Sequence, residues 1–263
     1  MLDKVKTRLT KPIKRLFRTP FADASSKKLI IHCSQHKVGG TWFGQILRAI
    51  ADHYGLNFQN CEQEDLRQNT DIFFQHHSRI QVSALPPYTG SHMIRDPRDI
   101  IVSAYFYHRW TTEDWAHQPK AEYGQRSYQD YLNSLDEEEG IIAEIDRSAP
   151  NIGIIANWNY SDPNFLEIKY EDMIADEEAG FHRIFKHYGF SPEAIRHCLG
   201  VAEQFSFKKV TGRKLGQVNE RSHLRSGKPE QWREYFTEKQ KKHFKKVLGD
   251  VVVKCGYEPN NDW

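Results

Sequence analysis

Cysteine is scarce in this sequence, and its four cysteines show no metal-binding or redox spacing. Cys33, Cys61, Cys198 and Cys255 are far apart, and no two of them form a CxxC motif. Zinc sites and dithiol redox sites need closely spaced cysteines, so the sequence predicts neither. Four cysteines are also few for a disulfide-stapled secreted domain. We therefore expect reduced thiols and a cytoplasmic protein.

Long hydrophobic runs are missing as well. No stretch approaches the roughly 18 to 20 consecutive apolar residues that a membrane helix needs. The basic N-terminus is not followed by the apolar core of a signal peptide, so we do not expect secretion. The chain has 263 residues, 38% hydrophobic and 27% charged, as in folded proteins and not in long disordered ones. This length suits one large domain.

A net charge of only +2 conceals two basic segments. Residues 1–28 contain nine Lys or Arg against two acidic residues, and residues 205–247 contain thirteen against four. These segments indicate anionic partners, but the acidic stretch between them argues against a general nucleic-acid partner. Apolar residues in 1–28 recur at helical spacing, which fits either a lead-in helix packed on the domain or a peripheral membrane contact. We predict a boundary between this lead-in and a domain of residues 29–263.

Short apolar runs alternate with helical patterns along the rest of the chain. The runs at residues 29–33, 72–74, 92–94 and 165–168 predict buried strands. Helices are expected after the first and third of these strands, over most of residues 127–160, and near 176–188 and 192–201. Such alternation predicts a single α/β domain with a central parallel sheet flanked by helices.

A glycine-containing loop after the first predicted strand carries the strongest local signal. Lys37, Gly39 and Gly40 precede a helix that opens near Thr41. The first N–H groups of a helix have no partner within it and attract phosphate, and glycines let the backbone approach closely. The pattern therefore predicts a phosphate-binding loop like that of P-loop NTPases. The motif GxxxxGK[ST] is absent, which argues against an ATPase or GTPase.

Two further blocks carry basic residues in sites that suit an anion. Arg95 follows the third predicted strand, and Asp96-Pro97 fit the N-cap and first position of the next helix. Ligands of open α/β sheets bind beyond the carboxyl ends of the strands, so we expect Arg95 and Ser103 to share one phosphate. Near the C-terminus, a basic loop ends in Gly227, shortly before Trp232.

Taken together, these blocks resemble the sulfotransferase family that uses 3′-phosphoadenosine 5′-phosphosulfate (PAPS). The segment from His36 to Trp42 is similar to that family's PKSGTTW loop. The segment from Arg95 to Ser103 is similar to its RNPKDxxVS motif, with the same eight-residue step from Arg to Ser. Arg225-Ser226-Gly227 with Trp232 resembles RKGxxGDW, although Ser226 replaces the family's Lys. Elements like YEDM at Tyr170–Met173 and Ser-Phe at Ser206-Phe207 lie between them in the same order.

The resemblance implies a role for each matched residue. Lys37 is expected to stabilise the charge that develops on the leaving phosphate. The backbone N–H groups of Val38, Gly39, Gly40 and Thr41, with the Thr41 hydroxyl, would hold the 5′-phosphate. The residues implied at the 3′-phosphate are Arg95, Ser103, Arg225, Ser226 and Gly227. Trp42 and Phe207 would enclose the adenine ring, with Tyr170 alongside.

The base that deprotonates the acceptor is expected among histidines, because the imidazole pKa lies near working pH. Aligning Phe73-Phe74 with the family's apolar pair places Gln75 at its Lys and His77 at its catalytic His. We predict His77 as the base, with His76 as the alternative; His36 and His108 are weaker candidates. The resemblance implies no metal requirement.

The resemblance implies a sulfotransferase that acts on a hydroxyl or amine, with PAPS as co-substrate. The expected partner is a hydroxyl-bearing small molecule or a carbohydrate, held mainly by residues 78–90 and 110–150. Two alternatives stay open: a P-loop nucleotide or small-molecule kinase, and an inactive nucleotide-binding or membrane-surface adaptor. The sequence leaves the oligomeric state and the acceptor undefined.

Overall fold

A five-stranded parallel sheet forms the centre of the protein in the computed structural model, which describes residues 19–23, 25 and 27–263. The strands are β1 (Leu29–Ser34), β2 (Phe58–Asn60), β3 (Ile72–Gln75), β4 (Tyr88–Ile94) and β5 (Phe165–Lys169), in the spatial order β2-β3-β1-β4-β5. The predicted single α/β domain with a central parallel sheet is confirmed. Sequence reasoning missed β2, a three-residue edge strand with no buried residue.

Helices connect and cover these strands. They are α1 (Gly40–Tyr54), α2 (Pro97–His108), α3 (Asp114–His117), α4 (Tyr128–Asn133), α5 (Glu137–Ala156), α6 (Tyr170–Ala175), α7 (Glu177–His187), α8 (Pro192–Gln204), α9 (Phe207–Thr211), α10 (Trp232–Tyr235), α11 (Glu238–Leu248) and α12 (Val251–Lys254). As the sequence predicts, Asp96 caps α2 and Pro97 opens it. No helix in the described ranges is long and apolar enough to cross a membrane.

Burial on both faces explains why β1 reads as an unbroken apolar run. All six of its residues are buried, as expected for a central strand of a parallel sheet. Ile30 belongs to the main core, where α1 contributes Phe43 and Ile46. Ile31 belongs to a smaller apolar cluster on the other face. This alternation follows from the two-residue period of a strand.

The order of the strands creates a crevice at one edge of the sheet. From β1, the chain continues on one side through β2 and β3, and then crosses to the other side of β1 to form β4. Such a switch point is where open α/β sheets bind ligands, beyond the carboxyl ends of the strands. Ser34 pairs in register with Met93, so β1 and β4 end at the same level. The Lys37 loop and Arg95 therefore emerge side by side.

Part of the predicted lead-in packs on the domain. The Phe21 side chain is buried against the ring of Phe190, with their centroids 5.6 Å apart. The backbone is tied on both sides of this contact, because Ala22 N–H donates to Gly189 O and Ser191 N–H donates to Pro20 O. The boundary after residue 28 stays a prediction. The membrane contact expected of residues 1–28 concerns mainly residues that lie outside the described ranges.

Candidate active site

The N-terminus of α1 is open to an anion. Its N-cap, Gly39, has φ of 92° and offers no side-chain cap, and no acidic residue occupies the first turn. The first N–H groups of the helix can therefore donate to a ligand, and their partial positive charge attracts an anion. Packing at Gly40 is tight, because a Cβ there would lie 3.1 Å from Ser34 Oγ and 3.2 Å from His76 Nδ1.

The Lys37 backbone adopts a conformation that is uncommon for a residue with a Cβ. Its φ is 63°, in the left-handed region. Arg95 supports this turn, because its Nη1 donates to the Lys37 carbonyl oxygen at 3.2 Å. The neighbouring Val38 N–H donates to Gln35 O at 3.3 Å. The Val38 N–H group, predicted to hold phosphate, is therefore already engaged within the loop.

The charge of Lys37 depends on its surroundings. Its ammonium lies 3.8 Å from the centroid of the Tyr107 ring, a cation–π contact. Burial and the positive charges of Arg95 and Arg225 lower the pKa of Lys37 to about 7, although Glu113 opposes them. Near neutral pH this side chain is thus divided between its neutral and charged forms, and an approaching anion favours the charged one.

Arg95 is a buried cation with donor capacity to spare. Its Nη2 lies 3.4 Å from Asp99 Oδ2 and 3.5 Å from the Lys228 carbonyl oxygen. Its Nε is buried and has no partner in the described part of the chain. Asp99 also accepts the Trp232 N–H at 2.9 Å, which connects Arg95 to the C-terminal region. A buried donor without a partner is costly unless a ligand accepts its hydrogen bond.

The C-terminal basic loop forms the opposite wall. Tyr170 OH donates to Gly227 O at 3.1 Å and so connects the start of α6 to this loop. Gly227 has φ of 67°, and a Cβ there would lie 2.7 Å from Leu215 Cδ2. Arg225 stacks on the Phe106 ring at 4.1 Å and donates to Gln231 Oε1. These contacts place a second buried cation beside the crevice.

One pocket of about 510 Å³ unites most of the predicted residues. Its lining includes Lys37, Gly39, Thr41, Trp42, Arg95, Ser103, Tyr170, Phe207, Arg225, Ser226 and Gly227. Two flat side chains, Trp42 and Phe207, are among them, and each is mostly buried. Glu177 is the one carboxylate among the described residues that line the pocket, whereas four side chains there are cationic. The pocket thus offers positive charge together with aromatic surface.

The two predicted catalytic histidines lie outside this lining. β3 ends at Gln75, so His76 and His77 belong to the following turn and not to a strand with opposed faces. His76 Nε2 lies 2.9 Å from Asn60 Nδ2. His77 Nδ1 is buried without a partner in the described residues. Burial lowers the pKa of both imidazoles.

Sequence reasoning missed several residues that surround Lys37. His223 lines the pocket, with its Nε2 3.2 Å from Thr41 Oγ1. Burial and the nearby Lys37 charge lower the pKa of His223 to about 4. Tyr107, which follows Ser103 by one helical turn, donates to Glu113 Oε1 at 2.7 Å. That spacing was the only available signal for Tyr107, and nothing in the sequence singled out His223.

No group of three or more His, Cys, Asp or Glu residues in the described ranges could hold a metal ion. The four cysteines are free. Burial raises the pKa of the Cys198 thiol to about 12, and burial likewise raises the pKa of Cys255. These thiols therefore remain protonated and offer no ready nucleophile.

The solved structures that resemble this chain include three in complex with adenosine 3′,5′-bisphosphate (PAP). A mouse sulfotransferase complexed with PAP is 17% identical, with a TM-score of 0.48, over 86% of this chain and 85% of that one. Retinol dehydratase with retinol and PAP is 16% identical, with a TM-score of 0.46, over 86% and 81%. Retinol dehydratase with androsterone and PAP is 16% identical, with a TM-score of 0.44, over 85% and 80%. No curated protein sequence matches the chain.

A family model described as the sulfotransferase domain matches residues 92–256, which is more than half of the chain. The matched range includes Arg95, Ser103, Tyr170, Phe207 and Arg225, and it begins after the Lys37 loop. The chain therefore belongs to the sulfotransferase domain family.

Proposed function

We propose that the protein transfers the sulfuryl group of PAPS to a hydroxyl or amine of a small-molecule or carbohydrate acceptor. The observation that carries this proposal is the single pocket in which the uncapped N-terminus of α1, Lys37, Arg95 and Arg225 surround one space. A nucleotide with phosphate at both ends of its ribose needs two separate cationic sites. The unpartnered Nε of Arg95 fits such a ligand, because it is a buried donor that lacks an acceptor.

Each end of the nucleotide has its own set of residues in this proposal. The N–H groups of the first turn of α1 and the Thr41 hydroxyl bind the 5′-phosphate, as helix N-termini commonly bind phosphate. Arg95, Ser103, Arg225 and the Ser226-Gly227 segment bind the 3′-phosphate. Trp42 and Phe207 enclose the adenine, with Tyr170 alongside.

Lys37 provides the chemistry at the 5′ end. As the bond between sulfur and the bridging oxygen breaks, negative charge develops on the leaving phosphate. A preorganised ammonium in a buried pocket stabilises that charge more strongly than water does. No described residue cluster offers a metal site, and the proposed mechanism uses side-chain and backbone donors alone.

The decisive experiment compares three reactions of the purified protein. With PAPS labelled in its sulfuryl group and a panel of phenols, sugars and amines, we expect release of PAP in the presence of a chelator. The kinase alternative would instead release ADP from ATP and need Mg²⁺. The adaptor alternative would bind PAP and turn over nothing. ADP formation, or binding without turnover across the panel, would contradict the proposal.

Because the pKa of Lys37 is lowered to about 7, nucleotide binding should depend on pH. Below pH 7 the free protein already has a charged Lys37, whereas above pH 7 binding must add a proton. PAP affinity should therefore fall as pH rises from 7 to 9, by up to about tenfold per unit. Calorimetry in two buffers of different ionisation enthalpy should detect proton uptake over this range. A Lys37→Met variant should lose both effects, and a flat profile in the wild type would contradict this assignment.

The expected location and acceptor class remain predictions. The cytoplasmic location rests on the cysteine pattern, and the membrane contact rests on residues that are mostly outside the described ranges.

A further inference from the structure

A chain of hydrogen bonds runs from the surface beside Lys37 into the core. His36 Nε2 lies 3.2 Å from His108 Nε2, and His108 Nδ1 lies 2.8 Å from Glu144 Oε2. The three residues come from the β1–α1 loop, the end of α2 and the middle of α5. His108 and Glu144 are buried, whereas His36 is only half-buried.

Glu144 is built to stay ionised. Burial alone would raise the pKa of its carboxyl group, but the interaction with His108 and hydrogen bonds from His108, Ser148 and Tyr128 lower it. Ser148 Oγ donates at 2.6 Å and Tyr128 OH donates at 2.8 Å. An ionised carboxylate is an acceptor only. The proton between Glu144 and His108 therefore belongs to His108 Nδ1.

With one proton on the His108 ring, this arrangement fixes the proton positions along the chain. A singly protonated imidazole that donates from Nδ1 has a lone pair on Nε2. His36 must then donate from its own Nε2, which leaves the lone pair of His36 on Nδ1. That Nδ1 atom has no hydrogen-bond partner in the described part of the chain. It is not one of the buried polar atoms that lack a partner, so it is open to solvent. The buried carboxylate thus sets the tautomer of a half-exposed imidazole.

His36, which carries the free Nδ1 atom, lies next to Lys37. His36 and Lys37 are consecutive, and both contact Tyr107: the His36 ring centroid lies 5.8 Å from the Tyr107 centroid, and the Lys37 ammonium lies 3.8 Å from it. His223 contacts the same ring, with centroids 5.1 Å apart. These contacts gather His36, Lys37 and His223 around one aromatic ring.

We propose that His36 is the catalytic base for the acceptor, and that His108 and Glu144 are positioning residues that orient it and receive its charge. This inference rests on the proposed sulfuryl transfer. As the acceptor oxygen bonds to sulfur and the bond to the bridging phosphate oxygen breaks, the acceptor proton moves to His36 Nδ1. The His36 Nε2 proton then moves to His108 Nε2. The resulting imidazolium of His108 pairs with Glu144, and PAP retains the electrons of the broken bond.

The surroundings keep His36 neutral before reaction. Burial lowers its pKa well below the usual value, and His108, Lys37, His223 and His77 act in the same direction. During the transfer the positive charge passes from His36 to His108, where it pairs with Glu144. This offsets the low pKa of His36. His77, the base predicted from alignment, has no such carboxylate partner among its hydrogen bonds in the described ranges. The two assignments therefore predict different variants as inactive.

The first test needs no acceptor. In protein labelled with ¹⁵N-histidine at pH 7, His36 is expected to be protonated on Nε2 and unprotonated on Nδ1, with resonances assigned by comparison with a His36→Ala variant. The isosteric Glu144→Gln variant should change this tautomer, and its thermal unfolding and PAP affinity report whether it is folded. A proton on His36 Nδ1 in the wild type would overturn the proposal.

The second test measures PAP release from PAPS with 2-naphthol, N-acetylglucosamine or water as acceptor. His36→Ala should lower turnover by about 10²- to 10⁴-fold with little change in PAP affinity, whereas His77→Ala should behave like the wild type. In Glu144→Gln, the acid limb of the pH–rate profile should move to lower pH, because the base loses its carboxylate. An active His36→Ala beside an inactive His77→Ala would refute the relay. Wild-type protein that binds no PAP would instead contradict the proposed function itself.

Discussion

Replacing Lys37 by alanine is expected to lower the rate of sulfuryl transfer by about 10²- to 10³-fold, and to weaken binding of the substrate PAPS far less. The reason is that charge on the leaving phosphate grows only in the transition state, so an ammonium placed there contributes mostly to the rate. Single-turnover rates measured at increasing PAPS concentration give the rate constant and the PAPS affinity separately.

A matched control separates this local contact from the general field of the basic loop. Lys214 is an exposed lysine on that loop, and Lys214→Ala removes a lysine side chain without touching the pocket lining. It should leave the rate nearly unchanged. Wild-type turnover in a folded Lys37→Ala protein would remove Lys37 from the mechanism.

Replacing Arg95 is the second change with a large expected effect, and it concerns recognition. Arg95→Ala should reduce the preference for PAP over adenosine 5′-phosphate by about 1.5–3 kcal/mol, the value of a charge-assisted hydrogen bond. The measurement is calorimetric affinity for both nucleotides in the wild type and the variant. Because the 5′-phosphate is common to both ligands, their ratio isolates the contact at the 3′-phosphate.

Arg95 also supports the Lys37 backbone and approaches Asp99, so a second variant is needed. Arg95→Lys retains the charge and loses the two-pronged geometry, and it should retain part of the preference. Arg233 is exposed and paired with Glu230, so Arg233→Ala serves as the matched control. An undiminished preference for PAP in Arg95→Ala would show that another group recognises the 3′-phosphate.

The sequence predicted the parts of the site that depend on local rules. Gly39 at the helix start and Asp96-Pro97 at the next helix follow from backbone chemistry, and the structure has them at those positions. The continuous apolar run of β1 predicted a central strand for the same reason. Each of these features is decided within a few residues, so a single sequence contains the necessary information.

The features that escaped prediction depend on distant partners. His36 and His108 are 72 positions apart, and only the packing of α5 brings Glu144 to them. The role of His77 stays a prediction; its ring lies outside the pocket lining, as does that of His36. Burial lowers the pKa values of Lys37 and His223, and it too depends on the assembled fold.

Residues 212–231 contain no helix or strand, yet they form one wall of the pocket. Arg213 holds this wall together: its Nη1 donates to Gln217 O and Arg225 O, and its Nη2 donates to Leu224 O. The conformational entropy of this long loop is therefore lost when the chain folds, and not when a nucleotide arrives. Nucleotide association should accordingly lack the large heat-capacity change of coupled folding and binding, and should proceed as entry into a preformed cleft.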